Sequence, residues 1–462
     1  MKNGSIKLDE IKWDPSIYPR KKPNTHTVER YADAMAAGEE FPAIVLEEKT
    51  NRLLDGRHRH LAAIESKATE LPAVWHTVPE GVSVKLYAAS LSARHGDRLS
   101  NADAKELALE EFETDPTRKA SDWARWLGFQ ERTVQLWVSH ITSRAHEERF
   151  AKALRLSMLG WTQKEIGEVL GITRGRIAQE LLESEDLRFL TQIRELLATG
   201  LPHDDVARRF NLPDQMVYAI DMADDDDQTA LNKLGVKVQP YDVWNFASCH
   251  DLMGDRHPGR IPGEIVAHVL YFYTKRGDLV IDPMAGSGTT LDACLLLGRK
   301  CYGYDIDGRH ERPDILKHDL QAGWPDKLKK ANLILWDPPY FDKMDATNIG
   351  DDGYIDGSIS RLSREDYLEF LGERLAEAAS KARKGCRLAF VMADWDPGPG
   401  DDREGIFVWD YADLISNAGW RLTRHIQAPL STQQVHPDIV TKFRKSRRLA
   451  RLERYVLIAE KQ

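Results

Sequence analysis

The chain has 462 residues, and at roughly 150 residues per domain this length predicts about three domains. Its 64 Lys and Arg stand against 73 Asp and Glu, a formal net charge of −9 that argues against a purely basic DNA coat protein. No apolar run approaches the ~18 residues that a membrane span needs, and no signal-peptide core is recognisable. The four cysteines form no C-x-x-C pair, which excludes a disulfide scaffold or zinc ribbon and predicts a cytoplasmic protein without membrane association.

Residues 1–95 mix short strands with helices. The runs at 41–48 and 52–56 predict two strands around a turn, and the residues from 57 onward predict a helix. The stretch 30–75 resembles the N-terminal domain of ParB-like partition proteins. The resemblance implies a small α+β domain over this part of the chain.

The box with which some ParB-like proteins bind a nucleoside triphosphate is altered here. The family pattern Gly-Glu-Arg-Arg appears as Gly56-Arg57-His58-Arg59, which keeps the glycine and the positive charge but loses the glutamate. CTP binding by this domain is therefore left open, and Arg57 and Arg59 could equally contact DNA phosphates or pair with nearby acids. His58 and His60 cannot face one ligand from a helix, so no metal site is predicted.

Residues 99–220 are helical in period throughout and contain a three-fold repeat. Each unit has apolar positions in helical register, then a residue that tolerates a positive φ, then an apolar residue that separates two helices. This pattern predicts helix-turn-helix units. The units span residues 123–134, 166–177 and 206–217 and turn at Gly128, Gly171 and Asn211.

We expect the second unit to contact DNA. Thr173, Arg174 and Arg176 open its second helix, the part of a helix-turn-helix that meets bases and phosphates. The same turn also serves packing or dimerisation in small helical modules, so a homodimer stays open as an alternative. The third unit opens its second helix with Pro213 and Asp214, and because an acid repels phosphate we interpret this unit as structural.

The pattern changes again after the third unit. An acidic stretch at 221–240 is interpreted as a solvated linker. Over 241–462, apolar strands alternate with helices, which predicts a doubly wound, Rossmann-like α/β domain with a mostly parallel sheet. The predicted fold class is therefore multidomain: a small α+β domain, an all-α helix-turn-helix region and an α/β domain.

Three successive strands of the α/β domain end in an acid. The run LVIDPMAGSGTT places Asp282 before a Gly-rich turn, KCYGYDID carries Asp305, and ANLILWDPPYF carries Asp337. Because the chain has no Gly-Lys dipeptide, a phosphate-binding P-loop is excluded. The carboxyl ends of parallel strands meet at one edge of a sheet, so the three strand ends together predict a ligand site there, with Asp305 placed to accept hydrogen bonds from ribose hydroxyls.

DPMAGSGTT together with LWDPPYF resembles the amino-group DNA methyltransferases that use S-adenosylmethionine. The resemblance covers residues 241–462. It implies that the first motif binds the methionine end of the cofactor and that the D-P-P-Y motif holds the target base. It assigns cofactor binding to Asp282, Pro283, Ala285, Gly286, Ser287, Gly288, Thr289, Asp305 and Asp319, and catalysis to Asp337, Pro338, Pro339 and Tyr340.

The D-P-P-Y residues suit a base amine on chemical grounds as well. Such an amine is a poor nucleophile because its lone pair is delocalised into the ring. Hydrogen bonds from the amine to the Asp337 carboxylate and the Pro338 carbonyl favour a tetrahedral nitrogen and aim its lone pair at the methyl group. The two prolines fix the carbonyl direction, and Tyr340 can stack on a base flipped out of the duplex.

The motifs leave the target of methylation open in part. The leading Asp of D-P-P-Y favours adenine, with the N4 amine of cytosine as the alternative. Ring-carbon methylation needs a cysteine nucleophile, typically after a proline, and none of the four cysteines follows a proline. An RNA substrate stays open, as does a non-catalytic DNA-binding protein with a vestigial methyltransferase fold. The intact motifs favour an enzyme, and the helix-turn-helix units favour double-stranded DNA.

Two further features allow more than one interpretation. Asp319 could contact the cofactor's adenine or cap a helix, and the C-terminal run KFRKSRRLARLER (442–454) could contact phosphates or be a solvated surface. Only 46 residues separate Thr290 from Asp337, too few for an inserted recognition domain. We therefore predict that the helix-turn-helix region shares in DNA recognition.

Overall fold

The structure is a computed structural model of the whole chain. It describes residues 2–18, 23–95, 100–178, 187–246, 249–256, 260–307, 312–341, 358–395, 397, 402–429, 440–441, 444–445, 447, 449 and 453–462. The chain divides into two compact units, Met1–Glu147 and Glu148–Gln462. Over the described ranges, no helix combines the length and the apolar character that crossing a bilayer requires.

The first unit contains a four-stranded mixed sheet with the strand order β1-β4-β2-β3. Strand β4 pairs antiparallel with β1 and parallel with β2, and β3 pairs antiparallel with β2. The strands are β1 (Lys2–Lys7), β2 (Ile44–Glu47), β3 (Leu53–Asp55) and β4 (Glu70–His76). The helices are α1 (Thr25–Ala36), α2 (Arg57–Glu65), α3 (Val84–His95), α4 (Asn101–Thr114), α5 (Ala120–Leu127) and the start of α6 (Glu131–Met158).

The turn between the two predicted strands β2 and β3 contains Asn51, whose φ of 57° lies in the left-handed region. Helix α2 begins directly after Gly56, which has a φ of 97°. A side chain at Gly56 would be strained by this φ and would overlap Ile44, which is fully buried in the core of the sheet. The glycine therefore lets the helix start close against β2.

The second unit contains a seven-stranded sheet with the order β10-β11-β9-β8-β5-β6-β7. The pairs among β9, β8, β5, β6 and β7 are parallel, and β11 runs antiparallel to both of its neighbours. Its strands are β5 (Leu279–Asp282), β6 (Lys300–Asp305), β7 (Ile315–Lys317), β8 (Leu333–Trp336), β9 (Arg387–Ala393), β10 (Trp420–Gln427) and β11 (Arg454–Lys461). Its helices after α6 are α7 (Gln163–Leu170), α8 (Leu187–Ala198), α9 (His203–Phe210), α10 (Asp214–Asp221), α11 (Asp227–Lys233), α12 (Gly263–Tyr273), α13 (Thr289–Leu296), α14 (Arg364–Lys381) and α15 (Val408–Asn417).

The three predicted turn residues each end a helix in the left-handed conformation. Gly128 follows α5, Gly171 follows α7 and Asn211 follows α9, with φ values of 74°, 67° and 50°. A capping box between Thr162 and Glu165 starts α7. The local chain path is consistent with the predicted helix-turn-helix units, and both these units and their role in binding DNA stay predictions.

The second of these units packs against the sheet. Trp161, just before α7, is 5% exposed and stacks on Tyr302 of β6 with ring centroids 4.8 Å apart. Its indole N–H donates to the Cys301 carbonyl at 2.8 Å. The Tyr302 hydroxyl donates to Glu165 at 3.0 Å, and Lys327 also pairs with Glu165. Helices of the predicted helix-turn-helix region therefore share one apolar core with the sheet.

The acidic stretch differs from the solvated linker that its composition predicts. Asp226 caps α11 by accepting from the Thr229 N–H at 2.9 Å. Asp227 pairs with Arg299, whose side chain is fully buried. The solvated interpretation is wrong for Asp227, because the buried Arg299 guanidinium requires such a partner, whereas Asp226 is exposed.

Replacing Trp161 with alanine is expected to lower the free energy of unfolding by about 3–5 kcal/mol, because it removes a buried indole and leaves a cavity against β6. Urea denaturation followed by circular dichroism measures the loss. Trp409→Ala serves as the matched control because Trp409 is 60% exposed, and its cost should be well below that of Trp161→Ala. Equal losses in the two variants would contradict the packing described here.

Candidate active site

The carboxyl ends of three adjacent parallel strands form the candidate site. Strand β5 lies between β8 and β6, so the chain segments that follow these strands leave the sheet at the same edge. Asp282 ends β5, Asp305 ends β6 and Asp337 directly follows β8. The fields of Asp337 and Asp305 both raise the pKa of Asp282, which places the three acids within electrostatic reach of one another.

Asp282 is the most enclosed of the three, with 3% of its surface exposed. Its carboxylate accepts from the Met284 N–H at 3.0 Å and is hydrogen-bonded to Thr290. Burial raises the pKa of Asp282 to about 7, since desolvation penalises the charged form more than these hydrogen bonds stabilise it. The carboxyl group therefore titrates near neutral pH.

Two backbone N–H groups of the Gly-rich loop that follows β5 donate hydrogen bonds to residues of β6. The Ala285 N–H donates to the Tyr304 carbonyl at 2.8 Å, and the Gly286 N–H donates to the Asp305 carboxylate at 3.0 Å. Gly286 and Gly288 have φ values of 49° and 82°, which side chains rarely adopt. Pro283, Ala285, Ser287, Gly288 and Thr289 are buried, and Gly286 is half-buried.

A side chain on Gly286 would meet nothing within 4 Å, so the space in front of its backbone is open to a ligand. Asp305 is half-buried, and its other carboxylate oxygen accepts from the Asp307 N–H at 3.1 Å. Because each carboxylate oxygen can accept two hydrogen bonds, Asp305 retains capacity for ligand hydroxyls. The loop and this acid therefore fit the cofactor that the sequence implies.

Asp319 follows β7, the next strand along the same edge. Its side chain is exposed and accepts from the Gln321 N–H at 2.9 Å, which caps a short 3₁₀ turn. The capping interpretation of Asp319 thus has a direct contact in the structure, and its contact with the cofactor stays a prediction.

Asp337 carries an unsatisfied acceptor. Within the part of the chain that the structure describes, its Oδ1 atom is inaccessible to solvent and has no hydrogen-bond partner. Burial raises the pKa of Asp337 to about 6, against the opposing effects of the Arg454 charge and a hydrogen bond with the Tyr340 side chain. A buried carboxylate oxygen without a donor is costly, so a hydrogen-bond donor that reached this atom would be favourable.

The two prolines of the D-P-P-Y segment are held by a helix behind them. The Tyr367 hydroxyl of α14 donates to the Pro339 carbonyl at 3.0 Å, and Tyr367 is fully buried. The hydrogen bond from Tyr367 fixes the direction of the Pro339 carbonyl, and the role of the Pro338 carbonyl stays a prediction. The structure thus brings Asp337, Pro338, Pro339 and Tyr340 together with Asp282, Asp305 and the Gly-rich loop.

The predicted DNA-contacting residues of the second helix-turn-helix unit lie on the surface. Thr173, Arg174 and Arg176 are exposed, and a helical stretch begins at residue 174. The Thr173 hydroxyl accepts from the Arg176 N–H at 3.4 Å, which caps this stretch. Their exposure suits contact with a large partner, and DNA contact by these residues stays a prediction.

The basic C-terminal run is described only in part, and residues 442, 443, 446, 448 and 450–452 lie outside the described residues. Its last member, Arg454, does not point to solvent. It opens β11, is 6% exposed and donates to the Ala428 carbonyl at 3.0 Å. A phosphate-contacting role is therefore wrong for Arg454, whose charge instead lowers the pKa of Asp337.

In the first unit, Arg59 pairs with Asp55 at 3.0 Å and donates to the Pro42 and Ala43 carbonyls. Arg57 lies over the ring of Trp13 at 3.8 Å from its centroid. Of the roles open to these two arginines, pairing with Asp55 is the one that the structure shows for Arg59.

With this geometry in place, residues 214–316 match the family model N6_N4_Mtase, described as DNA methylase. This segment, which we call the methylase segment, is similar to the DNA methylases. It spans less than a quarter of the 462 residues and includes Asp282, the Gly-rich loop and Asp305. The match ends before Asp319 and Asp337, so the assignment of these two residues to the site depends on the geometry described above.

The chain also has curated relatives. A type II methyltransferase, M.MjaII of Methanocaldococcus jannaschii, is 32% identical over 139 residues, 27% of this chain and 23% of that protein. The DNA adenine methyltransferase YhdJ of Escherichia coli is 30% identical over 85 residues, 18% of this chain and 29% of that protein. The chain thus spans about a quarter of the length of these two relatives.

Among solved structures, ParB from Caulobacter crescentus in complex with CTP-gamma-S is similar at 13% identity, covering 39% of this chain and 99% of that one. The TM-score is 0.19, a value that carries no inference about function. The ParB-like character of residues 1–95 and the domain limits drawn from the sequence stay predictions.

Sequence reasoning did not find two residues that act on this site. Tyr367 lies 28 positions after Pro339, and nothing in its local pattern separates it from an ordinary helix aromatic. Arg454 lies in a run that the sequence marked as basic, but only the sheet order shows that β11 turns it inward. Tyr367 and Arg454 each reach the site through contacts with residues that are distant in the sequence.

The raised pKa of Asp282 predicts a pH dependence of stability. The unfolded acid has its ordinary pKa of 3.8 while the folded acid has a pKa of about 7, so folding takes up a proton between these values. The contribution of this group to stability is complete below pH ~4 and is lost as the pH rises through ~7. At about 1.4 kcal/mol per pKa unit, the loss is on the order of a few kcal/mol.

Asp282→Asn removes this titration, so the unfolding free energy of the variant should fall less between pH 4 and pH 8 than that of the wild type. Denaturant titrations across this range measure the slope. Asp326→Asn is the control, because that carboxylate is 94% exposed and its removal should leave the slope unchanged. A wild-type slope retained in Asp282→Asn would show that Asp282 does not titrate near neutral pH.

Proposed function

We propose that this protein is a DNA methyltransferase that transfers a methyl group from S-adenosylmethionine to the exocyclic amine of adenine in double-stranded DNA. The observation that carries the proposal is the buried Oδ1 atom of Asp337, to which no described residue donates, at the sheet edge where the Gly-rich loop begins. A base amine supplies the donor that this atom lacks. The similarity of residues 214–316 to the DNA methylases supports the same conclusion.

In the proposed reaction, Asp337 and Pro338 act on the amine together. The Asp337 carboxylate accepts one amine hydrogen and the Pro338 carbonyl accepts the other, which turns the nitrogen toward a tetrahedral geometry and exposes its lone pair. The Tyr367 hydroxyl fixes the Pro339 carbonyl and thereby the backbone on which the Pro338 carbonyl is mounted. Orientation and electrostatics of this kind account for large parts of enzymatic rate enhancements.

The amine must lose one proton when its new bond to carbon forms. Asp337 is placed to receive that proton, and its pKa of about 6 leaves it mostly ionised at neutral pH while making it a better base than an exposed carboxylate. Tyr340 is proposed to stack on the extruded base, since an amine inside a duplex is out of reach.

S-adenosylmethionine, when bound, supplies a methyl group made electrophilic by its sulfonium. We assign its binding to Asp282, Pro283, Ala285, Gly286, Ser287, Gly288, Thr289 and Asp305, with Asp319 at the far end. In this proposal the loop contributes backbone amides and the space in front of Gly286, and Asp305 accepts from the ribose hydroxyls. The acid at Asp282 keeps the loop in place through the Met284 N–H.

The choice of adenine rests on the Asp at the first position of the D-P-P-Y segment, a position that tends to be Ser in the cytosine branch of the resembling family. The N4 amine of cytosine is the second candidate because the same two acceptors serve it equally. A DNA substrate and the four unpaired cysteines fit the reducing cytoplasm as the proposed location.

The decisive experiment incubates the full chain with labelled S-adenosylmethionine and DNA, followed by nucleoside mass spectrometry. We expect N6-methyladenine from the wild type and at least a ~100-fold lower rate from Asp337→Ala, the size seen when one preorganised electrostatic contact is removed. Asp326→Ala, which removes an exposed carboxylate, should keep the wild-type rate.

N4-methylcytosine as the product would retain the mechanism and correct the base. Label in RNA but not in DNA would correct the substrate. If neither nucleic acid gains label while the chain binds DNA, the protein is a non-catalytic binding protein and the proposed function is wrong.

The second helix-turn-helix unit is proposed to hold the DNA through Thr173, Arg174 and Arg176. Arg174→Ala should weaken DNA binding for all sequences and lower the salt dependence of binding by about one phosphate contact. Fluorescence anisotropy at several salt concentrations measures both quantities. Arg209→Ala is the matched control because Arg209 is exposed on α9, in the unit interpreted as structural; equal losses in the two variants would contradict the assignment.

A further inference from the structure

Four buried charges lie behind the Gly-rich loop. Asp292 is 1% exposed, Asp314 is fully buried and Arg155 is 8% exposed, and the Arg312 side chain is 11% exposed. Two positive and two negative groups balance one another in this cluster, which we call the ionic cluster. None of the four belongs to the proposed catalytic or cofactor-binding set.

The contacts within the ionic cluster join three separate parts of the chain. Asp292 lies in α13, Asp314 lies just before β7, and Arg155 lies near the end of α6. Arg155 donates to Asp314 at 2.7 Å and also pairs with Asp292. Arg312 donates to Asp292 at 3.0 Å and to Asp314 at 2.9 Å. Each carboxylate thus meets both guanidinium groups.

Arg312 also contacts the Gly-rich loop directly. It donates to the Ser287 carbonyl at 3.1 Å, and its guanidinium lies so close to Gly288 that a Cβ there would overlap its Cζ atom. The Gly288 φ of 82° turns the backbone toward this guanidinium. Asp292 in turn accepts from the Gly254 N–H at 2.7 Å, which fixes the segment next to the loop.

A cavity of about 450 Å³ opens on the outer side of the ionic cluster. Its walls come from α6 and from the turn of the third helix-turn-helix unit, including Lys152, Asn211 and Gln215. The helical region and the ionic cluster therefore line one cavity.

We infer that Arg312 is a positioning residue for the Gly-rich loop. Arg155 holds Arg312 in place because both arginines pair with the same two carboxylates, Asp292 and Asp314. Planar guanidinium groups can serve two carboxylates and a carbonyl at fixed angles, which a lysine ammonium cannot. The loop is then held at two points, by the hydrogen bond from Gly286 to Asp305 and by the hydrogen bond from Arg312 to the Ser287 carbonyl. This inference rests on the proposed function only for the identity of the ligand that the loop binds.

Arg299 offers a matched comparison. It too is a fully buried arginine with a carboxylate partner, Asp227, and it donates to the Leu270, Thr274 and Leu297 carbonyls. Among the described residues, its hydrogen bonds and ion pairs do not involve the Gly-rich loop. Arg299→Lys therefore reproduces the loss of a buried guanidinium without disturbing the loop.

The test compares Arg312→Lys with Arg299→Lys in the full chain by two measurements. Hydrogen exchange without ligand should show faster exchange at residues 284–288 in Arg312→Lys alone. Isothermal titration with S-adenosylhomocysteine should show about tenfold weaker binding for Arg312→Lys, the size expected for losing one charge-assisted hydrogen bond, and unchanged binding for Arg299→Lys. Arg155→Lys should weaken binding in the same direction.

Wild-type exchange at residues 284–288 in Arg312→Lys, or equal effects of Arg312→Lys and Arg299→Lys on exchange and binding, would overturn the inference. These outcomes are distinct from failure of the proposed function. A wild-type chain that does not methylate DNA refutes the function, whereas the exchange measurement still decides whether Arg312 holds the loop.

Discussion

The candidate site depends on one constraint: the parallel sheet holds three carboxylates close together at one edge. Strand pairing fixes β8, β5 and β6 side by side, so Asp337, Asp282 and Asp305 cannot move apart. Desolvation and repulsion raise the pKa of Asp282 to about 7, and burial raises the pKa of Asp337 to about 6. Such groups are held by the fold against their own hydration preference, as is common where a protein prepares a polar site for a ligand.

The surroundings of these three acids differ. Asp282 and Asp305 accept hydrogen bonds from the backbone of the Gly-rich loop, and Asp305 retains capacity for ligand hydroxyls. Asp337 keeps one oxygen to which no described residue donates. The distinction arises from the hydrogen bonds of single atoms rather than from residue type, since all three are aspartates.

Local patterns in the sequence predicted much of the candidate site. The strands at β5, β6 and β8, the Gly-rich loop and the left-handed turn residues Gly171 and Asn211 follow from apolar runs and from the φ that a turn needs. The clustering of the acids followed from the rule that parallel strands end at one edge. These inferences needed only neighbours in sequence and a topology rule.

What the sequence did not predict depends on partners far along the chain. The acidic stretch seemed solvated until Arg299, 72 positions from Asp227, proved to be its partner. Likewise Arg155 meets Asp314 across 159 positions, and no periodicity reports such a pair. The sequence does not show whether a carboxylate is hydrated or is paired with a buried guanidinium, and only the folded structure distinguishes the two cases.

The shared core of the second unit has a consequence for how such a protein can be cut or recombined. Trp161 and Arg155, which precede the sheet in sequence, contact residues of the sheet region. Cutting the chain near residue 240 would therefore expose apolar surface. It would also leave Asp292 and Asp314 with only one arginine partner. The helices after residue 148 are thus expected to melt with the sheet in one transition. Exchanging these helices between related chains would therefore require replacing the residues of β6 and α13 that contact them as well.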